Sequence, residues 1–176
     1  MIISRTPFRV SLAGGGSDLA EYYRRRRGTV VTMAINHYMY VTVHRRFDAS
    51  IRVSYTRTEL VEHIDDLQHN LVRECLRMTG FTRGIEVTTI ADLPAGIGLG
   101  SSSSLTVGLL NGLYALKGEW HSAADLSRRA CQIEIDILRI VERECRLERR
   151  QWRFAVVIRE RLHDHRATFA LECGSR

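Results

Sequence analysis

The chain has 176 residues, is 44% hydrophobic and carries a formal net charge of +6, which suits one globular domain with a real core and leaves little room for two. No apolar run approaches the roughly 20 residues of a membrane span, and the amino terminus has no basic stretch followed by an apolar signal segment, so a cytoplasmic protein with no membrane partner is expected. The cysteines Cys75, Cys131, Cys145 and Cys173 are scattered, with neither CxxC nor zinc spacing, and read as reduced, mostly structural thiols.

Residues 2–13 alternate as a strand interrupted at Pro7 and resuming through Phe8, Val10 and Leu12. They run into Gly14-Gly15-Gly16-Ser17-Asp18, a tight loop in which Ser17 or Asp18 would begin a helix through Tyr23. Asp18 reads either as a cap alone or as a carboxylate accepting hydrogen bonds from ligand hydroxyls, the glycines clearing the space. The run Arg24 to Arg27 reads first as a solvated helix end and second as a contact for an anion. Residues 28–35 and 38–45 predict two strands meeting at a turn around Asn36-His37, and residues 51–55 predict another. Leu60, Ile64, Leu67, Leu71 and Cys75 then recur at helical spacing with a polar middle, until Gly80 stops the pattern. Ile85, Val87 and Thr89 alternate as a strand that leads into the most informative stretch of the chain.

That stretch is Pro94-Ala-Gly-Ile-Gly-Leu-Gly-Ser-Ser-Ser-Ser104. Gly96, Gly98 and Gly100 let the backbone turn through conformations closed to other residues and bring bare amides to a ligand. The serines are good helix caps, and the helix they open presents unpaired N–H groups and a positive dipole end to a phosphate. One serine hydroxyl is available to magnesium. The loop is not a Walker A sequence, because no lysine precedes the hydroxyl residue. A dinucleotide fingerprint is disfavoured too, since Glu119 follows a helix instead of ending a strand. A serine-capped turn without a ligand is the bland alternative.

Leu105, Val107, Leu109, Leu110, Leu113, Ala115 and Leu116 predict a helix apolar on nearly every side, hence central and buried, ended by Gly118. Ser122 caps the next helix, where Ala123, Leu126, Ala130, Ile133 and Ile137 form a ladder. Glu134, beside that ladder, reads on pattern alone as a snorkelling surface carboxylate ahead of a metal ligand. From Arg139 the character changes, with ten arginines and a single glycine, Gly174, in the last 38 residues. Residues 139–150 look charged and helix-forming, and Trp152, Phe154, Val156 and Ile158 alternate like a strand.

Together the segments RTPFRVSLAGGGSD, DLPAGIGLGSSSS and ACQIEIDIL resemble the GHMP kinases, the family of galactokinase, homoserine kinase, mevalonate kinase and phosphomevalonate kinase. Within it they look most similar to the bacterial D-glycero-D-manno-heptose 7-phosphate kinases. The resemblance runs from Met1 to about Leu138. It implies an α+β fold in which residues 1–138 form an ATP-binding amino-terminal domain like domain 2 of ribosomal protein S5, with a left-handed βαβ arrangement. The ferredoxin-like carboxyl-terminal half is missing from the sequence, and residues 139–176 form an unrelated Arg-rich tail. It further implies ATP and magnesium as cofactors and a sugar phosphate as substrate, phosphorylated at the anomeric hydroxyl of a heptose 7-phosphate. By motif match, Pro94, Gly96, Gly98, Leu99, Gly100, Ser101, Ser102 and Ser103 would hold the nucleotide, and Ser102 and Glu134 the magnesium. Arg9, Gly15, Gly16, Ser17 and Asp18 would meet the substrate, Arg9 standing where relatives carry a basic residue near the transferred phosphoryl.

One departure accompanies the match. Relatives continue beyond the glutamate to an aspartate that orients or deprotonates the attacking hydroxyl, whereas here RIVERECRLERR follows and Cys145 and Arg146 take that place. The expectation is impaired catalysis, with the tail arising from a reading-frame shift and an early stop. Two other classes stand beside it: a non-catalytic module binding nucleotide, RNA or another anionic partner, and a fragment completed by a second chain. RNA is disfavoured because no interleaving of aromatic and basic residues is evident outside the tail.

Overall fold

The computed structural model describes residues 1–15, 17, 22 and 25–139. Five strands, β1 (Ile2–Ala13), β2 (Val31–Arg45), β3 (Ile51–Ser54), β4 (Thr58–Val61) and β5 (Ile85–Ala91), form one sheet in the order β1-β2-β5-β3-β4. The pairs β1–β2, β2–β5 and β3–β4 are antiparallel, and β3 lies parallel to β5. A parallel pair needs a crossover, and α1 (Asn70–Thr79) lies within it. Beyond β5 come α2 (Ser101–Lys117) and α3 (Ala123–Cys131), the latter continuing into a π-helical turn at Gln132–Ile137. The expected α+β class is borne out.

Alternation along the strands builds one buried face. Val41 and Val43 of β2, Ile51 and Val53 of β3, and Ile85 and Val87 of β5 are all fully buried. They join Val72, Cys75 and Leu76 of α1 and Leu109, Leu110 and Leu113 of α2 in a single core. Helix α2 is central as anticipated, packed on β1 and β2 and flanked by α1 and α3. Its closest approach to the sheet runs along small residues. A Cβ on Gly108 would lie 2.7 Å from Thr6 Oγ1, and one on Gly112 would lie 3.2 Å from Val43 Cγ2, so glycine is what lets this helix run against the strands. No helix among the described residues is long and apolar enough to cross a membrane.

The local reading needs correction in several places. Residues 31–45 form one strand, with no reversal at Asn36-His37. Pro7 pairs with Tyr38 while Arg9 pairs with Ala34, so the excess residues of β2 are absorbed in a bulge, which reads in sequence like a turn. Pro7 is tolerated because β1 is an edge strand, and it marks a register shift without ending the strand. The pattern from Leu60 to Cys75 is not one helix: Leu60 belongs to β4, Ile64 opens a single 3-10 turn, and α1 starts only at Asn70. The ladder of α3 holds through Leu126, Ala130 and Ile133, after which the wider π turn rotates the chain and leaves Ile137 exposed. Gly80, Gly118 and Ser122 act as predicted, the glycines closing α1 and α2 in left-handed conformation and Ser122 accepting from the Asp125 amide. Apart from Tyr22, the helix expected at 18–23, Asp18 included, falls outside the described residues, as do Gly16 and the tail from 140 onward with Cys145, Arg146 and Cys173.

Candidate nucleotide-binding site

Strand β5 ends at Ala91 and the chain crosses to α2 through the glycine loop. Gly96, Gly98 and Gly100 have φ of +82°, +87° and +77°, a left-handed region that costs other L-residues about 1–2 kcal/mol each. Nothing lies within 4 Å of a Cβ built on Gly96, so there the backbone turn itself calls for glycine. At Gly100 crowding adds to it, because a Cβ would sit 3.2 Å from Arg9 Cζ. Pro94 and Gly96 are exposed, whereas Gly98 and Leu99 are half-buried and Gly100 is buried. The loop thus rises from solvent into the domain as it reaches the helix.

The serines do not cap α2 as expected. Its N-cap is Gly100, with no side-chain capping bond, and Ser101 to Ser104 form the first turn. The first amides of any helix lack an intrahelical partner, and here they open beside the glycine loop, at the positive end of the dipole. Freed from capping, the hydroxyls divide their partners. Ser102 donates to Glu134 at 3.1 Å, Ser103 to the Gly100 carbonyl at 3.2 Å and Ser104 to the Pro7 carbonyl at 3.1 Å.

Glu134 is 2% exposed, which overturns the snorkelling reading: the π turn folds its carboxylate inward. Arg9 is buried as well, at 4% exposure, and its amide donates to the Leu99 carbonyl at 3.1 Å. Burial draws the Arg9 guanidinium below its ordinary pKa, and the charge of Glu134 pushes it back up. Cys75 sits behind this pair; burial first, then the carboxylates of Glu134 and Glu74, raise its thiol well above the usual range. It is an inert structural thiol, in keeping with the sequence reading. The structure therefore brings together Arg9, the glycine loop with the opening turn of α2, and Glu134, three segments distant in the chain.

The turn after β1 carries the residues expected to meet a substrate, of which Gly15 and Ser17 are described. Gly14 has φ of +86°, and a Cβ there would lie 2.0 Å from the Thr29 carbonyl oxygen. The Ser17 hydroxyl lies 2.8 Å from both the Gly14 and Thr29 carbonyls and accepts from the Thr29 amide at 3.1 Å. Ser17 is thus engaged with its own backbone and shapes the turn. Gly15 is exposed within it.

The residues present fit a magnesium nucleotide. Magnesium keeps several waters and takes one or two protein oxygens together with phosphate oxygens, and Ser102 with Glu134 offers one hydroxyl and one buried carboxylate already in contact. Positive-φ glycines leading into a helix amino terminus form a cradle for phosphate. Among the described residues there is no cluster of three or more His, Cys, Asp or Glu side chains suited to a metal.

A five-stranded mixed sheet under a central helix, entered through a glycine loop and faced by the half-buried Ser102 and the buried Glu134, is arranged as a cradle for a phosphorylated ligand. Comparison with known proteins agrees. Residues 67–141 match the family model described as GHMP kinases N terminal domain. A D-glycero-alpha-D-manno-heptose 7-phosphate kinase of Campylobacter jejuni is 29% identical over 158 residues, 80% of this chain and 45% of that protein. An L-fucokinase/L-fucose-1-P guanylyltransferase of Bacteroides fragilis is 26% identical over 76% of this chain and 18% of its own length. The solved structure of a D-glycero-D-manno-heptose 1-phosphate kinase from Bacteriodes thetaiotaomicron superposes with a TM-score of 0.72 and 27% identity, covering 78% of this chain and 49% of that one. Over the greater part of its length the chain is thus similar to the amino-terminal part of GHMP kinases. It spans less than half the length of the curated relatives it matches.

Proposed function

We propose that this chain is the nucleotide-binding domain of an ATP-dependent sugar kinase of the GHMP type, whose acceptor is the anomeric hydroxyl of a heptose 7-phosphate. The reading is carried by one observation: the Ser102–Glu134 hydrogen bond of 3.1 Å at the mouth of the glycine loop, with the buried Arg9 guanidinium against Gly100. The likeness to the Campylobacter jejuni heptose 7-phosphate kinase supports the choice of acceptor.

In this reading Pro94, Gly96, Gly98, Leu99 and Gly100 shape the cradle, and the amides of Ser101, Ser102 and Ser103 receive phosphate oxygens. Ser102 and Glu134 hold the magnesium, and Arg9 offers a fixed cation to the charge that develops on the transferred group. Phosphoryl transfer asks little covalent chemistry of the protein, mainly in-line positioning and charge neutralisation, and that is what these residues provide. Magnesium ATP, when bound, supplies the phosphoryl group and neutralises its oxygens. On the acceptor side Gly15 and Gly16 leave room, Ser17 closes the turn, and Asp18 accepts from sugar hydroxyls. Residues 1–138 make up the kinase domain, and the protein works in the cytoplasm. Cys145 and Arg146 stand where an aspartate would orient the acceptor, and loss of such a base commonly lowers the rate by on the order of 10² to 10⁴, so the 176-residue chain binds nucleotide better than it turns it over.

Release of ADP from magnesium ATP, with and without heptose 7-phosphate, tests this beside a Ser102→Ala control. Sugar-dependent release above the control supports the kinase and its acceptor. Bound ATP with no release supports the domain and the impairment together. Absence of ATP binding by a folded chain overturns the reading.

A further inference from the structure

The β1–β2 ladder shifts register between Pro7 and Arg9, and what happens at that break ties the strand to the nucleotide loop. On one side of Phe8 the Pro7 carbonyl accepts from Ser104 at 3.1 Å. On the other, the Arg9 amide donates to the Leu99 carbonyl at 3.1 Å. Phe8 between them is fully buried, Ser104 is 6% exposed and Arg9 4%. The main chain on both sides of Phe8, immediately before the arginine, is thus held by the loop and helix it faces, and the Arg9 guanidinium lies alongside Gly100. The neighbouring hydroxyls cannot serve instead, since Ser102 is directed to Glu134 and Ser103 to its own turn.

We infer that Ser104 is a positioning residue: its hydrogen bond to the Pro7 carbonyl at the break in β1 sets the Arg9 guanidinium against the glycine loop, where it meets the terminal phosphate of the donor nucleotide. This rests on the reading of the loop as a kinase nucleotide site. Without the hydroxyl, a half-buried carbonyl loses its donor, the break relaxes, and the segment before Arg9 is anchored by the Arg9 amide alone. Because Arg9 acts at the terminal phosphate, the loss falls on ATP and spares ADP.

The test is calorimetric titration of the full chain with magnesium ATP and, separately, magnesium ADP. Arg9→Ala and Ser104→Ala are each expected to weaken ATP roughly three- to tenfold, the range of one lost hydrogen bond to a charged or buried partner, with ADP unchanged. The double variant should be no weaker than Arg9→Ala alone, since coupled residues are not additive. Ser104→Thr, which keeps the hydroxyl, should restore ATP binding. Ser104→Cys, which fills the space with a weak donor, should not, and it keeps the comparison informative if alanine fails to fold. Equal losses for ATP and ADP, full additivity with Arg9→Ala, or unaltered ATP affinity in the Ser104 variants overturns the inference. If the unmodified chain binds neither nucleotide, the kinase reading itself has failed; if Arg9→Ala discriminates ATP from ADP and Ser104→Ala does not, only the role of Ser104 has.

Discussion

The Ser102 hydroxyl donates to the Glu134 carboxylate across 3.1 Å, joining the first turn of α2 to the π turn that follows α3. The bond bridges 32 residues of sequence and places a hydroxyl and a buried carboxylate where a helix end meets a glycine loop. Magnesium dependence should live in this pair. Glu134→Gln keeps the acceptor oxygen for Ser102 but removes the charge, so ATP affinity in the presence of magnesium should fall to its value in chelator, roughly tenfold or about 1.4 kcal/mol. Titrations with and without magnesium check this; a variant that still responds to the metal would remove Glu134 from its site.

Gly96 and Gly100 both have positive φ; a Cβ on Gly96 would meet nothing within 4 Å, whereas one on Gly100 would crowd Arg9. Alanine at either position should cost about 1–2 kcal/mol of stability from the backbone alone. Gly100→Ala should in addition push the guanidinium aside and weaken ATP more than ADP. Urea unfolding with both nucleotide titrations separates the two contributions.

Helix α2 rests on β1 through Gly108, where an added methyl would meet Thr6 Oγ1 at 2.7 Å, more closely than Val43 Cγ2 approaches a methyl on Gly112, at 3.2 Å. Gly108→Ala should therefore destabilise by about 1–3 kcal/mol, the usual range for overpacking a core, and Gly112→Ala by less. A reversed order in denaturant midpoints would contradict the packing described.

The imidazole of His69 caps α1, its Nδ1 accepting from the Val72 amide at 3.5 Å, and its ring meets that of Tyr55 edge-on at 4.7 Å. Burial draws its pKa below the ordinary value, while Glu59 pushes it up. Only the neutral ring can accept, so the folded state holds His69 neutral more firmly than the unfolded chain does. This share of the stability is whole above the ordinary imidazole pKa of about 6.5 and is lost as pH falls through the window between that value and the lower folded one. Thermal unfolding should show such a loss, and His69→Asn, a cap that does not titrate, should flatten it.

Much of this was readable from the residues, and the failures have a common cause. The glycine loop, the buried character of α2 and the closing glycines at 80 and 118 are local properties, set by side-chain spacing and backbone freedom, and they appear as predicted. Asn36-His37 looked like a reversal because turn residues also serve bulges, and only the pairing partner Pro7 distinguishes the two. Leu60, Ile64 and Leu67 kept helical spacing by coincidence across a strand and a 3-10 turn. The burial of Glu134 depends on a π turn and on Ser102, neither visible in its neighbours. The spacing of Ser104, Gly108 and Gly112, four residues apart in a helix of large apolar side chains, was a signal that could have marked the seam with β1.

The turn after β1 closes on itself at its root, where Ser17 joins Gly14 to Thr29. Such a root turns the segment it encloses into a cassette. A change within it should leave β1 and β2 in place, and hence Arg9 and the glycine loop undisturbed. On the proposed function, acceptor choice and donor handling would then change independently, and a graft of residues 18–28 from a kinase of another sugar should leave nucleotide affinity unaltered while changing the acceptor.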